Sequence, residues 1–223
     1  MRMRNKKNLI PRMEKCAAVQ VFEPAALAGA WSSLVPGCPD VRAEMGCGKG
    51  QFTAGIACEN PESLIVALEK VPNAMVTAME RVCAEQIPNV RFIDTDVVNL
   101  RDIFAPGELS VIYINFPDPW PRKKETKHRL TAPKFLAMYW DLLPVGGRIE
   151  YKTDQAWLFE WSLEQFALMG FELREITRDL HANGPVGIMT NYETRFHAEG
   201  VPICRCVAVK TGDRPAVLPE PEA

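Results

Sequence analysis

From residue 40 onward, short apolar runs alternate with longer stretches in which apolar residues recur every three or four positions. The short runs predict β-strands, and the longer stretches predict amphipathic helices. Strands are predicted at 41–45, 63–69, 89–94, 109–115, 148–152, 171–178 and 203–210. Helices are predicted at 50–58, from 72 onward, and at 133–143, 155–169 and 190–199, and the aromatic residues of the 155–169 helix are assigned to packing.

Repeated strand and helix units predict an α/β fold, a doubly wound and mostly parallel sheet with helices on both faces. With 223 residues, 47% of them hydrophobic, the chain has the size of one such domain with a buried core. We expect a basic N-terminal arm over 1–20, a single domain over 21–211 and a Pro-rich acidic tail over 212–223. The arm and the tail lie outside the strand and helix pattern, which predicts that both are mobile or disordered in the free protein.

No apolar stretch reaches the roughly 18 residues that a membrane span requires, and no apolar segment follows the charged N-terminus. We therefore expect a cytoplasmic protein without membrane contact. The seven cysteines form no C-x-x-C pair, and the three histidines lack the spacing of a metal motif, so neither a disulfide framework nor a metal site is predicted. Cys204 and Cys206 lie two apart in a predicted strand, which predicts burial on one face.

The net charge of −2 is unevenly distributed. The first fifteen residues carry six Lys and Arg against Glu14 alone, and residues 122–129 carry five against Glu125. Phosphate contacts act within about 8 Å in physiological salt, so local patches decide what the protein binds. A mildly acidic chain of this kind is compatible with a basic face for polynucleotide.

A glycine-rich turn, Glu-Met-Gly-Cys-Gly-Lys-Gly, follows the first predicted strand at 44–50. Its G-x-G-x-G spacing is shorter than that of a dinucleotide fold, and Gly46 and Gly48 let the backbone approach a ligand closely. Glu44 would repel a pyrophosphate, whereas it favours the sulfonium and amino group of S-adenosylmethionine. Glu69 is placed to accept the ribose hydroxyls and Asp96 to reach the adenine edge. The alternatives are a surface acid for Glu44 and a helix N-cap for Asp96.

A proline-rich turn, Asn-Phe-Pro-Asp-Pro-Trp-Pro, follows the fourth predicted strand at 115–121. Three prolines fix φ and remove backbone donors, so the turn is stiff and holds Asp118 at the carboxyl end of a strand, where open α/β sheets bind ligands. A solvated loop is the alternative for the charged strip that follows. We predict that the strip binds RNA backbone through Lys123, Lys124, Lys127, His128 and Arg129.

Four segments, 44–52, 115–129, 151–154 and 189–196, resemble the bacterial single-chain tRNA (guanine-N7)-methyltransferases. The resemblance implies a class I S-adenosylmethionine-dependent methyltransferase fold, which is Rossmann-like. It also implies methyl transfer to N7 of a guanine in tRNA, at the variable-loop position 46 of the tRNA. An obligatory protein partner is not expected, and the chain is expected to be a monomer or a homodimer.

The same resemblance implies roles for individual residues. Asp118 is the implied catalytic residue. The cofactor would be bound by Glu44, Gly46, Gly48, Glu69, Asp96 and Asp118, and the target nucleotide by Arg122, Asp154, Thr190, Asn191, Tyr192 and Glu193. Two positions depart from the family pattern, which more often has Lys where Arg122 stands and His where Glu125 stands. An acid in the strip weakens phosphate attraction.

Three other functions are compatible with parts of this pattern. A methyltransferase for an exocyclic amine or a small molecule would share the glycine turn but not need the basic strip. A nicotinamide-dependent dehydrogenase would share the doubly wound fold, although Glu44 and the short glycine spacing disfavour it. An RNA-binding module without catalysis would not need Glu44, Glu69 and Asp118.

Overall fold

A computed structural model describes residues 7–212 and contains a seven-stranded sheet in the order β3-β2-β1-β4-β5-β7-β6. Strand β7 is antiparallel to both of its neighbours, and the other adjacent strands are parallel. The predicted mostly parallel sheet is therefore confirmed. The strands are β1 (Val41–Met45), β2 (Leu64–Glu69), β3 (Val90–Asp94), β4 (Leu109–Asn115), β5 (Arg148–Thr153), β6 (Glu172–Thr177) and β7 (Cys204–Val209).

The helices are α1 (Leu9–Lys15), α2 (Gln51–Glu59), α3 (Pro72–Ala84), α4 (Leu100–Ile103), α5 (Pro133–Leu142), α6 (Ala156–Leu168) and α7 (Asn191–Ala198). Proline stands in the first turn of both α3 and α5, where its missing N–H has no helical partner to lose. Five of these helices were predicted. The sequence prediction missed the short α1 and α4.

Helices cover both faces of the sheet. In β2, the side chains of Leu64, Val66 and Leu68 belong to one apolar cluster, while Ile65 and Ala67 belong to another. The first cluster includes residues of α5 and α6, and the second includes residues of α2 and α3. Because successive strand residues point to opposite faces, this division confirms the doubly wound arrangement. Cys204 and Cys206 are both buried in the first cluster, as predicted.

The chain order of the strands reverses between β1 and β4. From β1 the sheet grows through β2 and β3 on one side, and through β4 and β5 on the other. Parallel strands leave a crevice outside their carboxyl ends at such a switch point. Both the glycine-rich turn after β1 and the proline-rich turn after β4 begin at this crevice.

The described part of the predicted arm packs on the domain, which differs from the expected boundary at residue 20. Arg12 forms two hydrogen bonds of 2.6 Å with Glu80 in α3. Cys16 is buried, and Gln20 pairs with Phe92 in a β-bridge. These contacts extend the packed body of the protein to α1. Residues 1–6 of the predicted basic arm and the predicted tail from 213 lie outside the described residues. No helix within 7–212 is both long and apolar enough to cross a membrane.

Candidate active site

A cavity of about 620 Å³ lies at the switch point of the sheet. Its walls come from the turns after β1, β2, β3 and β4 and from the start of α7. Most of the residues predicted to bind a cofactor or a nucleotide line it. They are Glu44, Gly46, Gly48, Glu69, Asp96, Asp118, Thr190, Asn191 and Tyr192. His128, predicted to bind RNA backbone, also lines the cavity.

The glycine-rich turn requires glycine for its backbone conformation. Gly46 and Gly48 have φ angles of 80° and 58°, in the left-handed region, and a Cβ at either position would meet no atom within 4 Å. The absence of a clash shows that the φ value, rather than a shortage of space, favours glycine there. At these two positions the turn presents backbone to the cavity.

The carboxylate of Glu69 is fixed by two backbone amides. Gly48 N donates to Oε2 at 3.0 Å, and Val71 N donates to Oε1 at 2.9 Å. Each carboxylate oxygen retains further lone pairs. Glu69 is therefore oriented at the end of β2 with acceptor capacity left for a ligand, which agrees with its predicted role.

Glu44 is 2% exposed at the end of β1. Thr53 Oγ1 donates to its Oε2 at 2.5 Å, and Asn115 Nδ2 donates to its Oε1 at 3.4 Å. Burial raises the pKa of the Glu44 carboxyl to about 7, against the opposing effect of these two hydrogen bonds. Within residues 7–212, no Lys, Arg or His side chain pairs with Glu44. It is not the surface acid of the alternative interpretation.

Asp96 caps a short helix at the edge of the cavity. Its Oδ1 accepts a hydrogen bond from Val98 N at 3.3 Å, so it caps the 3₁₀ helix Val97–Asn99. Its Oδ2 lies 3.7 Å from Lys70 Nζ, and the residue also lines the cavity. The N-cap role is therefore confirmed, and the cofactor role stays a prediction.

The proline-rich turn contains two aromatic residues with positive φ. Phe116 has a φ of 51° and Trp120 a φ of 43°, values that bulky side chains rarely adopt. Such strain persists where the surroundings fix it and is concentrated at functional sites. Between them, Asp118 is exposed at the cavity and forms no hydrogen bond or ion pair with residues 7–212.

Arg129 was predicted to bind RNA backbone, and the structure places it elsewhere. It is 6% exposed, and its guanidinium donates to the carbonyl oxygen of Trp120. The same group lies over the rings of Trp157 and Trp161, 4.9 and 4.5 Å from their centroids. A cation packed against two indoles and exposed to this small extent has little surface to offer a phosphate. The RNA-backbone assignment of Arg129 is thus wrong in this structure.

The rest of the basic strip is exposed. Lys123, Lys124, Lys127 and His128 lie on the 3₁₀ helix Lys123–His128. His128 also packs its ring against Trp120, with 5.2 Å between centroids. Glu125 Oε1 lies 3.6 Å from Arg122 Nη1. The unexpected acid is therefore paired with Arg122, and Lys123, Lys124 and Lys127 form no ion pair with residues 7–212.

The segment at the start of α7 divides into exposed and buried residues. Asn191 and Tyr192 are exposed at the cavity, and Tyr192 stacks on Phe196. Glu193 is fully buried, and its backbone N–H donates to Thr190 Oγ1 at 3.0 Å in a capping box. The predicted nucleotide contact is compatible with the first two residues. For Glu193 it is contradicted, because the carboxylate is enclosed by protein.

Arg122 and Asp154 do not line the cavity. Asp154 follows β5, is half-buried and accepts a hydrogen bond from Gln155 Nε2. Arg122 is exposed beside the 3₁₀ helix of the basic strip. Their predicted contacts with the target nucleotide stay predictions.

Several cavity residues were missed by the sequence prediction. Lys134 and Arg195 are exposed cations in the lining, and Asn115 donates to Glu44. Gln51 joins the glycine-rich turn to α7, since its Nε2 donates to Met189 O at 3.0 Å. Asn115 was detectable from its position at the end of β4. The other three depend on helix packing that no local motif encodes.

The sequence of the whole domain matches known methyltransferases. Residues 39–206 match the family model Methyltransf_4, "Putative methyltransferase". A tRNA (guanine-N(7)-)-methyltransferase of Listeria monocytogenes is 39% identical over 209 residues, which cover 93% of this chain and 98% of the relative. The enzyme of that name from Bacillus subtilis is 38% identical over 206 residues, covering 92% and 97%. The chain belongs to the tRNA (guanine-N7)-methyltransferase family. Its predicted membership is thereby confirmed.

Solved methyltransferases share the fold of this family member. The 16S rRNA methyltransferase KamB has a TM-score of 0.65 at 17% identity, over 82% of this chain and 94% of that one. A 16S rRNA (adenine(1408)-N(1))-methyltransferase from Catenulisporales acidiphilia, in a structure with cosubstrate SAM, has a TM-score of 0.61 at 14% identity, over 88% and 95%. The class I methyltransferase fold is confirmed. Membership of the methyltransferase family excludes the dehydrogenase alternative.

Proposed function

We propose that this enzyme transfers a methyl group from S-adenosylmethionine to N7 of a guanine in tRNA, at the variable loop. The observation that carries the proposal is the placement of two acids in one cavity, the buried Glu44 and the exposed Asp118. An exposed basic strip lies on the chain directly after Asp118. The names of the relatives agree with this substrate.

The residues present fit S-adenosylmethionine. Glu44 is a buried carboxylate without a cationic partner among residues 7–212, which suits a ligand with a sulfonium and an ammonium group. Glu69 keeps acceptor capacity for ribose hydroxyls. Gly46 and Gly48, in the left-handed conformation, place no side chain in the cavity. When bound, the sulfonium supplies an electrophilic methyl group.

Asp118 orients the base in this proposal. Guanine N7 carries a lone pair and no proton, so no base is needed to create the nucleophile, and positioning contributes most of the rate. Asp118 can accept hydrogen bonds from guanine N1 and N2, and its negative charge favours the cationic 7-methylguanine product. General-base catalysis by Asp118 is the weaker alternative.

The target guanine must leave its stack to enter the cavity, at a cost of a few kcal/mol. Lys123, Lys124 and Lys127 offset that cost through phosphate contacts, since they are exposed and unpaired within the described range. Tyr192, which is 62% exposed at the cavity, offers a face on which the extruded base can stack. We place this reaction in the cytoplasm, where tRNA is found.

The test is transfer of labelled methyl from S-adenosylmethionine to unmodified tRNA, followed by borohydride and aniline treatment, which cleaves at 7-methylguanosine. We expect cleavage at one variable-loop guanine, and none in a tRNA with adenine at that position. Label without cleavage would mean methylation of another atom. Cleavage elsewhere would overturn the variable-loop position, and no label despite cofactor binding would overturn tRNA as the substrate.

A further inference from the structure

Glu193 is the centre of a buried polar cluster behind the cavity wall. Its side chain is 0% exposed, and both carboxylate oxygens accept hydrogen bonds. Lys152 Nζ donates to them at 3.1 and 3.0 Å, His181 Nε2 donates at 3.0 Å, and the backbone N–H of Thr190 donates at 3.1 Å. A carboxylate with this many donors is fully satisfied within the protein.

The charge of Glu193 is balanced by Lys152 rather than by His181. The backbone N–H of Val186 donates to His181 Nδ1 at 3.1 Å, so this nitrogen carries no proton. The imidazole is therefore neutral and donates to Glu193 through Nε2. Lys152 and Glu193 form a buried ion pair, and such a pair needs its hydrogen-bond partners to offset the loss of hydration.

Lys152 connects three parts of the active site. Its backbone carbonyl oxygen accepts the N–H of Phe116, the second residue of the proline-rich turn that carries Asp118. Its Nζ donates to Ile188 O at 3.1 Å as well as to Glu193, and so holds the segment that leads into α7. Two residues further along the chain, just after the end of β5, stands Asp154. One lysine thus joins the Asp118 turn, the end of β5 and the start of α7.

We propose that Lys152 and Glu193 are positioning residues that hold the exposed start of α7, Asn191 and Tyr192, at a fixed place opposite the Asp118 turn. The inference rests on the proposed function, because the target base is held between these two walls. Glu193 acts through the segment it anchors and does not touch the nucleotide. Loss of the Lys152–Glu193 ion pair slows methyl transfer because the positions of Tyr192 and Asp118 relative to each other are no longer fixed.

The test compares Glu193→Gln, Lys152→Met and the double variant with the wild-type enzyme. We expect kcat with tRNA to fall about tenfold or more in each single variant. The double variant should fall no further than the worse single variant, because both changes break the same interaction. Cofactor affinity, measured at about pH 8.5 where Glu44 is ionised, should stay within about twofold of wild type.

The double variant separates positioning from folding. A single change leaves a buried charge without its partner, which destabilises the fold by itself, whereas removing both charges leaves none unpaired. The matched control is Glu160→Gln, which breaks the exposed ion pair of Glu160 with Arg178, at 2.6 Å. We expect wild-type kcat in this control. A double variant that melts at the wild-type temperature and retains wild-type kcat would overturn the proposal.

Hydrogen exchange keeps this inference distinct from the proposed function. We expect amides at 186–195 to lose protection in the double variant while β1 and β4 keep theirs. If wild-type enzyme methylates no tRNA but this local loss occurs, the proposed function fails and the anchoring role stands. If protection at 186–195 is unchanged, the anchoring role fails whatever the substrate.

Discussion

The guanidinium of Arg129 holds the carbonyl oxygen of Trp120, with Nε at 3.2 Å and Nη2 at 3.0 Å. Trp120 is the next-to-last residue of the proline-rich turn that carries Asp118 and has a φ of 43°. Two indole rings of α6 enclose the cation from the other side. The buried guanidinium of Arg129 thus stabilises the strained backbone conformation of Trp120. The sequence analysis had predicted that this residue binds RNA.

Replacing Arg129 should therefore impair catalysis rather than RNA attraction. In Arg129→Met, the turn loses its two charged hydrogen bonds, so Asp118 is no longer fixed and kcat should fall about tenfold or more, equivalent to about 1.4 kcal/mol. The salt dependence of tRNA affinity should not change. A flatter dependence of log affinity on log salt in this variant would show that Arg129 contacts RNA phosphates.

The three exposed lysines should show the opposite behaviour. Replacing Lys123, Lys124 and Lys127 with Ala removes unpaired cations from the strip, and the slope of log affinity against log salt should shrink by about 2. Filter binding of tRNA over a salt series measures this slope. The same experiment on Arg101→Ala, an exposed cation paired with Asp141, is the control and should leave the slope at its wild-type value.

Asp118→Ala should reduce turnover far more than cofactor affinity. Asp118 contributes a charge at the reacting base, and loss of such a preorganised group costs about a hundredfold in kcat. Calorimetric titration with S-adenosylmethionine and single-turnover kinetics with tRNA give the two quantities. Asp102→Ala, an exposed acid on α4, is the matched control. Wild-type turnover in Asp118→Ala would remove its role in the reaction.

Cofactor binding should strengthen as pH rises through 7. Burial raises the pKa of the Glu44 carboxyl to about 7, so the negative charge that attracts a sulfonium is lost below that pH. In Glu44→Gln the affinity should be low, and its rise between about pH 6 and about pH 8 should be smaller than in wild type. An identical pH profile in both proteins would show that Glu44 does not face the cofactor.

The same carboxyl should make the free protein less stable at higher pH. A raised pKa means that the folded state holds its proton more tightly, so stability from this group is complete below about pH 4.5 and declines until about pH 7. As pH rises from about 5 to about 8, the free energy of unfolding of Glu44→Gln should gain up to about 3 kcal/mol relative to wild type. Urea unfolding at the two pH values measures this difference. A constant difference would contradict the raised pKa.

Elements with strong local patterns were predictable. The apolar runs located all seven strands to within two residues, and the glycine-rich and proline-rich turns located the cavity at the ends of β1 and β4. Glu44 and Glu69 were identified because each is the last or next-to-last residue of a strand whose end faces the crevice. In these cases the informative residues lie next to each other in the chain.

Residue roles that depend on distant partners were not predictable. Arg129 looked like a member of a basic strip, because the indoles that enclose it lie about 30 positions further along the chain. Glu193 looked like a nucleotide contact, although its partner Lys152 lies on β5. Neither pairing leaves a local signal, since each forms only when helices pack on the sheet.

The sequence by itself determined the doubly wound fold, the place of the site and the acids that line it, because strand periodicity and turn chemistry are local properties. The tertiary structure decided which charges face the cavity and which are buried behind it. Arg129 and Lys152 are cations with the same formal charge as the exposed lysines of the strip. Burial beside an indole or a carboxylate gives them a structural role, and burial is a property of the packed chain rather than of any segment.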